Sequence, residues 1–95
     1  MEKKDNLISE PSGEKRSFIL ETINLLSEKT TDNQVVQNLF DSLKDSLMHT
    51  APEVVGLNWT RLFNICKQNL DDGGNPSHQM CLEIYNNRYE QYKKL

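Results

Sequence analysis

TDNQVVQNLFDSLKDSLM, residues 31–48, carries Val36, Leu39, Phe40, Leu43 and Leu47 in steps of three, one, three and four. On an α-helix these positions share one narrow face, with Asp41, Lys44 and Asp45 turned away from it. The stretch also opens with a start signal. Thr31 is spaced to cap the amide three residues on while Gln34 reaches back, the reciprocal capping box. The spacing predicts a helix over 32–48, and this reading sets the fold class.

Working back towards the amino terminus, Phe18, Ile19, Ile23 and Leu26 repeat the helical stripe, so a first helix is expected over 13–28. Leu20 and Leu25 lie off that stripe at wide angles. A helix apolar on more than one side has more than one neighbour, which predicts a central place for it. Residues 1–12 are polar and aperiodic, and are read as a flexible tail ahead of a single helical domain over 13–95.

Working forward, Pro52 interrupts the pattern, since a proline fits only the first turn of a helix. Thr50 is expected to cap a short helical turn reaching Val55, with Gly56 ending it and Asn58 capping the next helix. That third long helix, 59–70, repeats the three-one-three-four rhythm with Trp59, Leu62, Phe63, Cys66 and Leu70. Trp59 is its largest core candidate. In NLDDGGNPSHQMC, residues 69–81, Gly73 and Gly74 suit a helix stop, Asn75 or Ser77 a cap, and Pro76 a first turn. A fourth helix over 76–93 follows. No strand-like alternation occurs anywhere. The expected architecture is all-α, a small antiparallel bundle of four longer helices plus one short helical turn, with the short connections that favour antiparallel neighbours.

Ninety-five residues support one domain. The net charge of −3 and pI of 5.3 argue against a general phosphate-backbone binder, which shows a basic face. Two cysteines do not make a secreted disulfide scaffold. MEKKDNLISE lacks the apolar core of a leader, and no segment is apolar enough to span a bilayer. The expectation is therefore no membrane association and a cytoplasmic protein.

Chemical motifs are sparse. Cys66, His78, Cys81 and His49 number four soft or borderline ligands, but lack the paired spacing of a structural zinc site. Both cysteines fall on apolar stripes, where Cys acts as a small hydrophobe. Their places on either side of the 71–75 loop predict core neighbours, reduced rather than bonded. An EF-hand reading fails because Gly73 and Pro76 occupy ligand positions. No nucleophile elbow, P-loop, H-E-x-x-H or dinucleotide fingerprint is present. Hence no enzyme, no metal and no cofactor are expected. His49 reads as a cation at the carboxyl end of its helix.

The turn before Trp59 outlines a helix-turn-helix, yet offers only Arg61 and Lys67 as cations, which argues against nucleic acid. CLEIYNNRYEQYKKL, residues 81–95, is the most informative segment. In one reading the Arg88 stem packs and its head meets an acid such as Asp41 or Asp45. In the other, the last turns leave the core and offer Tyr85, Arg88, Tyr89 and Tyr92 to a partner, and Tyr and Arg are enriched in interface hot spots. A terminal helix of this kind also suits homodimerisation. The leading expectation is a non-enzymatic protein-binding module, an adaptor, regulator or inhibitor, its acidic surface suiting a basic partner. The alternatives are a small DNA- or RNA-associated regulator and an acidic immunity-type inhibitor of a basic toxin or nuclease.

Overall fold

Four α-helices and one 3-10 turn build the chain: α1 (Pro11–Glu28), α2 (Gln34–His49), the turn (Pro52–Val54), α3 (Leu57–Asn69) and α4 (Pro76–Tyr92). The computed structural model describes residues 11–70 and 75–95. Among the described residues there is no strand, and no helix is long and apolar enough to cross a membrane. The expected all-α antiparallel bundle of four longer helices and a short turn is the architecture observed.

The face read from residues 31–48 points inward. Val36, Phe40, Leu43 and Leu47 are buried with Ile19, Ile23, Leu26, Leu62 and Leu70, while Leu39 is half-buried at the margin. Helix α1 is central, packing on α2, α3, α4 and the 3-10 turn. It begins at Pro11 rather than at 13, a position a proline tolerates because the first amides of a helix have no partner to lose. Residues 1–10 of the expected tail and Asp71–Gly74 of the expected loop lie outside the described residues. Of the two leucines off the α1 stripe, Leu20 is half-buried and Leu25 exposed.

Three caps differ from the reading of the sequence. The α2 cap is Asn33, whose extended backbone frees its side chain to accept the Val36 amide at 3.1 Å. The Thr31–Gln34 box is not formed. Gln34 instead donates to Asn38 at 3.0 Å, and the corner is closed by Gln37, which donates to the carbonyls of Ser27 at 2.8 Å and Thr30 at 3.0 Å. Thr50 caps the end of α2, not the start of the turn. Its hydroxyl donates to the Ser46 carbonyl at 2.6 Å and accepts from Asn58 Nδ2 at 3.0 Å. Asn58 in turn lies buried inside α3 rather than at its cap. The reason is that Val55 and Gly56 both keep right-handed helical backbone, so the 3-10 turn feeds straight into α3 with no extended residue to cap it. At α4 the expectation holds: Asn75 Oδ1 accepts the amides of Ser77 at 2.9 Å and His78 at 3.4 Å, with Pro76 leading.

Two arginines tie α1 to its neighbours. Arg16 donates to the Leu47 carbonyl and, at 2.9 Å, to that of Thr50, satisfying acceptors that the end of α2 leaves open. Arg88 of α4 reaches α1, not α2. It donates to Thr22 Oγ1 at 3.0 Å, the Phe18 carbonyl at 3.3 Å and Glu21 Oε1 at 3.2 Å. Its guanidinium lies 3.8 Å from the centre of the Phe18 ring, a cation–π stack suited to a planar group. Asp41 and Asp45, the acids expected to receive it, lie exposed on α2, and α4 packs on α1 instead.

Candidate functional site

Helices α3 and α4 meet chiefly through rings. Trp59 is the hub: its ring centre lies 4.6 Å from Tyr92, 5.2 Å from Tyr85, 6.1 Å from Tyr89 and 6.2 Å from Phe18. Phe63 extends the cluster through Tyr85 at 5.6 Å. Pairs at these separations are favourable beyond the area they bury. Flat rings stand α3 away from α4 without filling the space between them, and a groove remains on the outer side.

Trp59 and Tyr85, 5% and 6% exposed, form the floor of this groove. Phe63 and Tyr89, 41% and 38% exposed, form its lips. It contains two adjoining hollows that share Phe63, Tyr85 and Asn86. One, of about 340 Å³, runs on to Trp59, Thr60 and Tyr89. The other, of about 230 Å³, runs on to Cys66, Lys67 and Leu82.

The chemistry of the floor is apolar. Burial pushes the Tyr85 phenol up to about 12, with the Trp59 indole N–H a weaker pull the other way. The indole nitrogen itself makes no full hydrogen bond among the described residues. Cys66 and Cys81 are both buried and free. Loss of water raises the Cys66 thiol to about 12, helped by Cys81 close by, and the Cys81 thiol to about 11. Thiols held this far above neutrality are poor nucleophiles and poor metal ligands. His78 is buried in α4, and His49 is exposed at the end of α2, within 2.9 Å of the Asp45 carbonyl. Among the described residues no three His, Cys, Asp or Glu side chains gather into a group able to hold a metal ion.

The groove collects two of the four residues singled out from the sequence. Tyr85 lies beneath its surface and Tyr89 at its lip. Arg88 and Tyr92 face the other way, Arg88 onto Phe18, Glu21 and Thr22, and Tyr92 between Trp59 and Phe18. The helix therefore stays on the bundle as far as Tyr92 instead of leaving it after Tyr85. Phe63 and Lys67 are the residues the sequence reading missed. The stripe reading places Phe63 inward on α3, at one edge of the apolar face, with Leu62 at the other. An aromatic at the edge of a stripe, facing a helix with three tyrosines, is the signal that marks it.

Compared with protein-family models, curated proteins and solved structures, the chain matches none.

Proposed function

We propose that this chain is a non-enzymatic protein-binding module whose binding surface is the α3–α4 groove. The observation that carries the reading is the pair of half-open rings, Phe63 and Tyr89, set over a buried floor of Trp59 and Tyr85. Apolar concavities with a few polar groups are the usual form of binding sites. Aromatic residues in such places supply much of the energy of protein interfaces. Neither lip residue is among the buried side chains that make up the core. Of the alternatives, a nucleic-acid regulator requires a cationic face, and among the described residues lining the groove Lys67 is the one cation. A toxin-blocking inhibitor requires a concentration of acids, and the described lining residues include none.

The test is a paired capture. The wild-type chain and a Phe63→Ala/Tyr89→Ala variant, shown by circular dichroism to be equally helical, are cross-linked in native extract. Proteins retained by the wild type and lost from the variant support the reading. Identical captured sets from both overturn it.

A further inference from the structure

Resting on that reading, we infer that the groove takes an acidic amphipathic helix of a partner protein, with two apolar side chains a turn apart in the two hollows and carboxylates near Lys67.

The shape favours a helix. The two hollows adjoin along the groove and share one divider, made by Phe63, Tyr85 and Asn86. Residues at i and i+4 of a helix have Cβ atoms about 5–6 Å apart on one face, and longer side chains splaying from them can enter two adjoining hollows. Both walls are helices, whose backbone groups are already paired internally. An extended strand laid in the groove would find no sheet edge to bond its own amides and carbonyls. A docked helix brings its backbone already satisfied. Proline-rich segments use exposed indole and hydroxyl donors, and here the Trp59 N–H is buried. Unpaired bases need open ring faces to stack on, yet the Trp59 and Tyr85 rings are already stacked by rings of this chain.

The local charge selects the sign of the occupant. The chain as a whole carries −3, which pointed to a basic partner. The groove departs from that average. Helix α3 contains Arg61 and Lys67 and no carboxylate, and among the described residues Lys67 is the one charged residue lining either hollow. Its ammonium lies 5.8 Å from the Phe63 ring centre, beside the divider. On α4 the carboxylate of Glu90 is held by Lys93 at 3.4 Å, and that lysine lies 5.1 Å from the Tyr89 ring centre. That pair is neutral, so the sign of the groove is set by Lys67 beside Phe63.

A displayed library of short peptides, selected on the full wild-type chain, tests this. Trp59 is the only tryptophan, so its fluorescence reports binding at the floor during titration with the selected peptides. Enriched sequences are expected to share two large apolar residues three or four apart, flanked by Asp or Glu. Lys67→Glu should weaken such peptides about fivefold and favour versions with Lys in place of Glu, the size of a partly exposed ion pair. Peptides that are lost with Phe63→Ala/Tyr89→Ala but are basic, proline-rich or indifferent to Lys67→Glu overturn the acidic helix and leave the groove in place. Stronger binding of a single-stranded oligonucleotide at Trp59 does the same. Peptides that bind the double variant as well as the wild type, or an empty selection, overturn both.

Discussion

The α1–α2 half of the molecule and the α3–α4 half are joined by different materials. Between α1 and α2 the buried side chains are mainly aliphatic, Ile19, Ile23, Leu26, Val36, Leu43 and Leu47 with Phe40, and Gln37 and Arg16 bond backbone carbonyls at the two ends. Between α3 and α4 the contact is a stack of rings that leaves hollows on its outer side. Branched aliphatic chains can interdigitate to near-crystalline density, whereas a tryptophan flanked by tyrosines holds helices apart at a fixed spacing. Both halves feed the buried core, but among the described residues only the α3–α4 contact leaves a groove of rings on its outer side.

Exchanging the roles of two phenylalanines is the hardest test of that contrast. Phe40→Ala should cost about 3–5 kcal/mol, since it empties a fully buried site. Phe63→Ala should cost about 1 kcal/mol or less, because much of that ring already faces water. Urea denaturation of both variants measures this. Equal losses would erase the distinction between the halves.

Alkaline titration should single out the α3–α4 half. Cys66, Cys81 and Tyr85 all have folded pKa values above their ordinary ones, to about 12, 11 and 12. The folded state holds these protons after the unfolded chain has released them. Stability is therefore fully present below pH 9.0, the ordinary thiol value, and is lost as pH rises towards 11 and 12. Each group contributes at most about 1.4 kcal/mol per pH unit. Cys81→Ala should flatten the first part of that fall. A profile unchanged by the substitution would mean the thiol is not sealed from water.

Arg88→Met keeps the packed stem and removes the head group, so it should cost about 1–2 kcal/mol through the lost charged hydrogen bonds and the lost stack on the Phe18 ring, while the Thr22 hydroxyl still donates to the Phe18 carbonyl. Smaller still, Asn33→Ala and Asn75→Ala should each cost about 1 kcal/mol. If Thr31 were the working cap of α2, Asn33→Ala would cost nothing.

The helices were legible because the three-one-three-four rhythm is a direct image of burial, and α2, with its narrow apolar face, is the clearest case. The caps were less so. Thr31 and Asn33 are both competent caps two residues apart, and the choice depends on Gln37 and Thr30, which bond to the end of α1 rather than to their own helix. Partner choice across the bundle was hidden altogether. Arg88 sits on a stripe that the sequence shows to be inward, but only the packing of α4 on α1 makes Glu21 its acid. The groove was half legible. The three tyrosines pointed to α4, but Phe63 has the same inward spacing as its buried neighbours, and its exposure follows from the width of the ring stack beside it.

The clasp between Arg88 and the middle of α1 joins residues 66 to 70 positions apart along the chain. A closure of this span is among the slowest contacts for a helical protein to make, since the quickest routes to order rely on nearby segments. The central helix can find α2 early, but its other flank waits until everything from residue 34 onward has been made and arranged. Refolding should show α1 and α2 gaining protection from hydrogen exchange ahead of α4, with the last helix arriving as the latch.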